Sequence, residues 1–426
     1  MHGYDVFYTK GDNNCFLYNL NIKNAYLVFT LEKDREEINL KSDVKNIHLK
    51  KDEELIVFDF KYFSSYEEGI ENFNIDFPLL NIEKIFGYTS WYNYYQNINE
   101  EIILRDLEGL NDKFNLFQID DGYETAVGDW LSVNKEKFPN GLEGIVKKIH
   151  EKGLKAGLWL APFVAQSSSN LLKEHPEYFK KDKKGDLVSC GVNWGGFYAL
   201  DMLNQDALNY IRRCLEHYMN MGFDFFKLDF LYACNLDEYE GYSRSMIAEK
   251  SYEFLRNVLK DKLILGCGAT LFNSKNRFDY LRVGADVSLK FDDSFLMRHM
   301  HRERPSTKHT LQNTIYRNFL DQRFFGNDPD VFLLRSDNIK LSNDQKEALL
   351  TINALFGSVL MCSDNVALYD EGKQELLDKS LNMFYNAKDK SFKKLDEDRI
   401  EIYYSLDEVN YSFIYNVNKG IIEKQI

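Results

Sequence analysis

Charged side chains stand at the ends of several short apolar runs in the middle of this chain. They are Asp120, Asp121, Lys227, Asp229, Arg282 and Asp286, and Cys267 ends one further run. Carboxylates accept hydrogen bonds from sugar hydroxyls, and lysine and arginine side chains donate to others. Two further carboxylates can supply the acid, base and nucleophile that glycoside cleavage needs. Because no cluster of metal-binding histidines accompanies them, these residues predict a pocket for a polyol such as a sugar.

Residues 224–231 place a cation and a carboxylate inside an otherwise apolar stretch. Because side chains alternate along a strand, Lys227 and Asp229 are expected to point to the same side. Burying both charges is costly unless they pair with each other or meet a ligand. This stretch by itself is compatible with a structural ion pair, but the charges at the ends of the neighbouring runs favour a functional site.

From about residue 82 the apolar runs alternate with amphipathic helices. Eight runs have the pattern of buried strands: 85–88, 116–121, 154–160, 224–231, 263–267, 280–286, 331–334 and 358–361. Leu142, Ile145, Val146 and Ile149 follow the spacing of one helix face, and a second face begins at Tyr210. This order predicts an α/β fold, a (β/α)8 TIM barrel, with its active site at the carboxyl ends of the strands. A doubly wound open sheet is the alternative, and no GxGxxG follows the first strand to support it.

The sequence pattern divides the chain into three regions. Residues 1–81 hold short alternating runs separated by polar turns, which predicts a small N-terminal antiparallel β region. Residues 82–366 hold the strands and helices of the barrel. Residues 367–426 hold one helix and at least two strands, which predicts a small C-terminal β domain.

Composition limits the classes of partner and the compartment. A net charge of −14 and a pI near 5.2 argue against nucleic acid and against an anionic membrane surface. The first residues lack the apolar core of a signal peptide, and no apolar stretch is long enough to span a membrane. The six cysteines lie far apart without a CxxC pair, which is typical of reduced thiols in a cytoplasmic protein. The eight histidines show no zinc-binding spacing, so no metal or cofactor is expected.

Several segments of the barrel carry distinctive motifs in a fixed order. They include Asp120-Asp121-Gly122, Lys227-Leu228-Asp229, Arg282-Val283-Gly284-Ala285-Asp286 and Asn327-Asp328-Pro329-Asp330, together with 128–130, 137–142, 153–163, 175–177 and 199–201. In this order and spacing they resemble the melibiase-type α-galactosidases of glycoside hydrolase family 36. The resemblance covers about residues 84–366, and it implies a retaining, exo-acting hydrolase of small oligosaccharides or other α-galactosides.

The resemblance also implies a role for each residue of the set. Asp229 is implied to be the nucleophile, and Asp286 the general acid that later acts as base. This division of labour requires Asp229 to stay ionised, with Lys227 as its electrostatic partner, and Asp286 to start protonated in a dry or negatively charged place. The implied sugar ligands are Asp120 and Asp121 for the 4- and 6-hydroxyls, Lys227 for the 3- and 4-hydroxyls, Arg282 for the 2-hydroxyl, and Cys267 near C2. Trp159 and Trp91 are candidates for an aromatic wall, and either is compatible with an ordinary core position.

Two departures from the family pattern keep other activities open. Family members carry a large N-terminal β-sandwich, whereas about 80 residues precede this barrel. On the fifth strand the family shows Glu-x-Cys and a Gly-Gly-x-Arg-like run, where this chain has Leu265-Gly266-Cys267 followed by Gly268-Ala269-Thr270. The small residues would admit a bulkier group at C2, so an α-N-acetylgalactosaminidase is an alternative, as is an α-galactosyl transglycosylase. A non-catalytic sugar-binding barrel and a metal-using barrel enzyme are the alternatives from other classes.

Overall fold

The computed structural model describes residues 2–10, 14–32, 37–292 and 304–425. The N-terminal region forms two three-stranded antiparallel sheets, with strand orders β1-β4-β5 and β2-β3-β6. Their strands are β1 (His2–Tyr4), β2 (Val6–Thr9), β3 (Cys15–Asn19), β4 (Leu27–Glu32), β5 (Glu37–Ser42) and β6 (Phe60–Phe63). Helix α1 (Tyr66–Asp76) follows, and the Ser65 side chain caps it by accepting from the Glu68 amide. The predicted N-terminal β region is confirmed.

Nine parallel strand segments build the barrel, in the order β16-β15-β14-β13-β9-β8-β7-β18-β17. The barrel segments are β7 (Ile85–Thr89), β8 (Leu116–Ile119), β9 (Lys155–Leu160), β13 (Phe225–Leu228), β14 (Leu263–Gly266), β15 (Tyr280–Arg282), β16 (Gly326–Asp328), β17 (Val331–Phe332) and β18 (Val359–Cys362). A small antiparallel sheet is inserted between β9 and β13, and its strands are β10 (Val164–Gln166), β11 (Ser189–Gly191) and β12 (Phe197–Ala199). The TIM barrel predicted from the alternating pattern is therefore confirmed.

The seventh barrel strand is split, and its two halves close the barrel. Segment β16 pairs with β15, and β17 pairs with β18. Pro329 has no amide hydrogen to donate to a ladder, and Asp330 has a φ of 74°. The chain therefore breaks its ladder at these two residues. The sequence predicted a seventh strand at 331–334, but the strand begins five residues earlier, at Gly326, and is interrupted in the middle.

Helices surround the barrel and are capped by side chains at their N-termini. They are α2 (Trp91–Tyr94), α3 (Glu100–Gly109), α4 (Glu143–Glu151), α5 (Asn170–Glu174), α6 (Gln205–Met221), α7 (Arg244–Leu259), α8 (Thr307–Tyr316) and α9 (Asn343–Phe356). In α4 the predicted apolar face, Ile145, Val146 and Ile149, is buried against the sheet. Within the described residues, no helix combines the length and the apolar character needed to cross a membrane.

The C-terminal region consists of one helix and a four-stranded antiparallel sheet, as the sequence pattern predicts. Helix α10 (Glu371–Asn386) precedes the strands β19 (Lys388–Lys394), β20 (Arg399–Leu406), β21 (Val409–Asn416) and β22 (Ile421–Gln425). Both appended regions contact the same part of the barrel. Phe16 packs on Phe319 with ring centroids 5.6 Å apart, and Phe392 packs on Tyr316 at 5.4 Å. The segment after the sixth strand is thus held from two sides.

Candidate active site

A cavity of about 1730 Å³ opens at the carboxyl ends of the barrel strands. All eight residues singled out from the sequence line it: Asp120, Asp121, Trp159, Lys227, Asp229, Cys267, Arg282 and Asp286. The cavity exceeds the roughly 300–1000 Å³ of typical small-ligand pockets. The structure therefore brings the whole set together, in a space large enough for more than one sugar ring.

Asp120 and Lys227 form a buried ion pair at the floor of the cavity. The Lys227 Nζ lies 2.9 Å from Asp120 Oδ2, and the Gln118 side chain donates to the same oxygen at 2.6 Å. Burial opposes the charge of Lys227, but the negative charge of Asp120 outweighs it and the pKa of Lys227 is raised above its usual value. The direct hydrogen-bond partner of Lys227 is therefore Asp120, and not Asp229 as the two-residue spacing along the strand suggested.

Asp121 is enclosed by polar side chains that the sequence did not single out. Gln96 Nε2 donates to both of its carboxylate oxygens, at 3.1 and 3.0 Å, and Trp194 Nε1 donates to Oδ2 at 3.1 Å. Burial, and then the charge of Asp121, raise the pKa of Glu124 well above its usual range. Glu124 therefore keeps a proton beside Asp121. Gly122 makes this approach possible, because a Cβ at its φ of 121° would lie 2.6 Å from the carbonyl oxygen of Gln96.

Asp229 lies just beyond the end of β13, on a sharp turn. The strand ends at Leu228, and Phe230 adopts a left-handed conformation with a φ of 54°, so the predicted strand 224–231 is shorter than expected. Trp159 Nε1 donates to Asp229 Oδ2 at 3.1 Å, and the Phe230 amide donates to Oδ1 at 2.7 Å. Burial raises the pKa of Asp229, as does the charge of Asp286, while Lys227 and these two donors oppose the rise. The turn thus aims a carboxylate with two fixed donors into the cavity.

Arg282 is surrounded by three carboxylates. Its Nη1 donates to Asp286 Oδ1 at 2.6 Å, its Nε to Asp328 Oδ2 at 2.8 Å, and its Nη2 lies 2.8 Å from Asp330 Oδ1. Burial opposes the charge of Arg282, but Asp328 and Asp330 raise its pKa well above the usual value. A guanidinium group with five N–H donors still has donors left for a ligand after these contacts.

Asp286 stands in a different environment from the one that its implied role requires. Half of its side chain, 50%, is exposed, and its direct partner is the positively charged Arg282. Exposure and a cationic partner both favour an ionised carboxylate. The expected dry site is therefore wrong, and the negative charge needed to hold a proton on Asp286 comes from the other carboxylates around Arg282.

The fifth strand ends in small residues beside Cys267. Burial raises the pKa of the Cys267 thiol well above its usual range, so it stays protonated. At Gly268 the φ is 69°, and a Cβ would come within 3.0 Å of the Tyr232 ring. Glycine at this position therefore lets Tyr232, which lines the cavity, lie close to the strand end.

Aromatic rings form one wall of the cavity. Trp194 packs against Trp159, Phe197 and Phe230, with ring centroids 6.3, 5.1 and 5.1 Å apart. Its φ is 51°, within a loop where the neighbouring glycines 191, 195 and 196 also have positive φ values. Trp91 lies at the mouth against Tyr95. This glycine-rich loop was the sequence signal that could have drawn attention to Trp194.

No group of three or more His, Cys, Asp or Glu side chains is arranged to hold a metal ion in the part of the chain that the structure describes. The chemistry of the cavity is therefore considered through its own side chains.

Comparison with known proteins gives a consistent family. The Melibiase family model matches residues 87–261, which span the first four barrel strands. Alpha-xylosidase XylQ from Lactiplantibacillus pentosus is 26% identical over 219 residues, which are 49% of this chain and 28% of that protein. Alpha-galactosidase Mel36A from Lactobacillus acidophilus is 39% identical over 101 residues, which are 21% of this chain and 13% of that protein. The matches thus span less than a third of the length of either curated relative.

A solved structure matches nearly the whole chain. It is TtGalA, an alpha-galactosidase from Thermus thermophilus in complex with p-nitrophenyl alpha-D-galactopyranoside. The TM-score is 0.77 at 26% identity, and the match covers 96% of this chain and 80% of that chain. The fold and these relatives define the class as that of the TIM-barrel glycoside hydrolases.

Within that class, this chain resembles the melibiase-type α-galactosidases of glycoside hydrolase family 36 and carries a Melibiase domain. The resemblance found in the sequence motifs is therefore confirmed.

Proposed function

We propose that this protein is a retaining, exo-acting α-galactosidase with Asp229 as nucleophile and Asp286 as general acid and base. The observation that carries the proposal is the position of Asp229 in the cavity, where Trp159 Nε1 and the Phe230 amide each bind one carboxylate oxygen. These donors fix the carboxylate and favour its ionised form, which a nucleophile requires. Asp286 lines the same cavity from the end of the sixth strand.

The reaction proceeds as a double displacement. Asp229 attacks the anomeric carbon from the β face, while Asp286 gives its proton to the glycosidic oxygen and the alcohol leaves. A β-linked galactosyl ester on Asp229 is formed. Asp286, now ionised, takes a proton from water, the water oxygen attacks the anomeric carbon from the α face, and the bond to Asp229 breaks. The product is α-galactose, and both carboxyl groups return to their starting states.

The buried ion pair at the floor is proposed to bind the sugar hydroxyls at C3 and C4. Lys227 has three donors and uses one of them on Asp120, so two remain for hydroxyl oxygens. Asp121 is proposed to meet the 6-hydroxyl, and Arg282 the 2-hydroxyl, with Cys267 close to C2. Because the nucleophile lies among these groups, a sugar at the non-reducing end of a chain fills the site.

A panel of nitrophenyl α-glycosides tests this function. We expect the α-galactoside to be hydrolysed with the highest kcat/KM, and the α-N-acetylgalactosaminide, α-xyloside and α-glucoside to be slower by about tenfold or more. The α-xyloside belongs in the panel because a relative that matches 219 residues is named an alpha-xylosidase. If no α-glycoside releases nitrophenol, the proposed function is wrong.

The fifth strand supports one second candidate, an α-N-acetylgalactosaminidase. Gly268 and Ala269 follow Cys267 at the place proposed for C2, and neither residue carries a side chain larger than a methyl group. An acetamido group needs such space. A higher kcat/KM for the N-acetylgalactosaminide than for the galactoside would favour this candidate, and transfer of galactose to added sugar instead of water would indicate a transglycosylase.

Trp194 provides a further prediction, because it holds Asp121 with its indole N–H and lines the cavity with its ring. Trp194→Phe keeps an aromatic ring but removes the donor to the carboxylate, and we expect KM for the α-galactoside to rise by about tenfold. Trp91→Phe is the control, since Trp91 lies at the mouth away from these carboxylates, and its KM should change by less than about threefold. Equal effects of the two variants would remove Trp194 from the binding of the sugar.

A further inference from the structure

Asp330 reaches the catalytic end of the barrel because the seventh strand is broken beside it. It lies between β16 and β17, its side chain is completely buried, and its φ of 74° is unusual for a residue other than glycine. Such conformations persist where the surrounding contacts fix them, and they concentrate at functional sites. The contacts of Asp330 indicate what this conformation achieves.

Asp330 holds the region of Asp286 in two ways. Its Oδ2 accepts the amide of Val287, the residue directly after Asp286, at 2.6 Å. Its Oδ1 lies 2.8 Å from Arg282 Nη2, and Nη1 of the same guanidinium donates to Asp286 Oδ1 at 2.6 Å. Tyr92 donates its hydroxyl to Asp330 Oδ2 and completes the arrangement. One buried carboxylate thus fixes both the backbone after Asp286 and the cation beside its side chain.

We propose that Asp330 is a positioning residue for the general acid and base of this enzyme: it orients Asp286 through the Val287 amide and shares Arg282 with it. The proposal rests on the proposed function of Asp286. It gives the break in the seventh strand a purpose, because an unbroken strand would not carry this side chain to both Val287 and Arg282.

The charges around Asp330 explain how Asp286 can hold a proton beside an arginine. Arg282 on the sixth strand is the one cation in direct contact; the other charged or titratable groups facing Asp330 are Asp286 after the sixth strand, Asp328 on the seventh, Lys227 on the fourth and Tyr92 on α2. Burial raises the pKa of Asp330 to about 7, with Arg282 opposing the rise and Asp286 and Asp328 adding to it.

The sign of the effect on catalysis follows from these charges. When Asp330 is ionised it neutralises part of the charge of Arg282 and repels a second negative charge on Asp286, so Asp286 retains its proton to higher pH. Removing the charge of Asp330 leaves Arg282 free to stabilise ionised Asp286. The upper pH limit of kcat/KM, which reports loss of the proton from the acid, should then move to lower pH.

Asp330→Asn tests the proposal with two substrates that differ in their need for an acid. Methyl α-galactoside has a poor leaving group that must be protonated, whereas 2,4-dinitrophenyl α-galactoside has one that leaves unaided. We expect kcat/KM for the methyl galactoside to fall by about tenfold to a hundredfold, and that for the dinitrophenyl galactoside to change by less than about threefold. The upper pH limit should fall by about one unit.

Asp364→Asn is the matched control. Asp364 is also completely buried, also accepts backbone amides, from Leu334 and Arg335, and also pairs with an arginine, with Arg335 Nη1 at 2.7 Å. It does not line the cavity. This control should lose stability but treat both substrates alike, with an unchanged pH limit. If Asp330→Asn behaves in the same way as this control, its role is structural and the proposal is overturned.

Two further measurements keep the test decisive. If Asp330→Asn does not fold, Tyr92→Phe replaces it: loss of the hydroxyl makes Asp330 harder to ionise, so the same substrate discrimination is expected in weaker form, and its absence overturns the proposal. If the wild-type protein cleaves neither galactoside, the proposed function fails. The contact is then tested by ¹³C NMR of labelled aspartate: Asp330→Asn should lower the midpoint at which the Asp286 carboxyl titrates, and an unchanged midpoint overturns it.

Discussion

Asp229→Ala is expected to lower kcat/KM for nitrophenyl α-galactoside by about a thousandfold or more, because the covalent intermediate can no longer form. Added azide should restore part of the activity, and the product should be β-galactosyl azide, since azide would occupy the face from which Asp229 attacks. The configuration of the azide adduct can be assigned by ¹H NMR. This prediction has the largest expected effect.

Asp224→Ala is the matched control for this variant. Asp224 precedes β13, at the opposite end of the strand from Asp229, and binds His150 and Lys262 at 2.8 and 3.1 Å. The amino-terminal end of a barrel strand serves stability and not catalysis. The control should therefore lower the melting temperature and leave kcat/KM within about threefold of wild type. If Asp229→Ala also stays within about tenfold of wild type, Asp229 is not the nucleophile.

Asp286→Ala should divide substrates by their leaving groups. For methyl α-galactoside we expect kcat/KM to fall by about a hundredfold to ten-thousandfold, since the glycosidic oxygen no longer receives a proton. For 2,4-dinitrophenyl α-galactoside the first step needs no proton, so the galactosyl ester should form and accumulate in a burst. Azide should then raise turnover and give α-galactosyl azide, with the configuration opposite to that from the Asp229 variant.

Asp279→Ala controls for the loss of a carboxylate from the same strand. Asp279 precedes β15 at the amino-terminal end and binds Arg256 Nη2 at 2.6 Å. Its loss should reduce stability and affect both galactosides equally. A uniform loss with Asp286→Ala as well would mean that another group protonates the leaving oxygen.

The barrel and the members of its site were readable from the sequence because they depend on patterns within single strands. Buried parallel strands are continuous apolar runs, so a charged residue at the end of one stands out, as with Asp121 and Lys227. Since the carboxyl ends of all strands meet at one mouth, residues far apart in sequence could be placed in one cavity without knowing their contacts.

What the sequence did not show were contacts between strands. Lys227 was paired with Asp229 on the same strand, whereas its ammonium group reaches Asp120 on a neighbouring part of the barrel. The partners of Arg282 come from the broken seventh strand, and that break depends on a backbone conformation at Asp330 that no periodicity encodes. Trp194 reaches Asp121 from an inserted loop. Such contacts follow from tertiary packing and not from local pattern.

The closure of the barrel has a consequence for the birth of the protein on the ribosome. The first barrel strand, β7, pairs with β18, and the side chain of Ser363 donates to the carbonyl of Thr89, which precedes it by 274 residues. Until that late segment is synthesised, one edge of β7 has no partner, and an open strand edge is a template for pairing with other chains. The folding of this enzyme is therefore most vulnerable to aggregation while its chain is nearly, but not fully, complete.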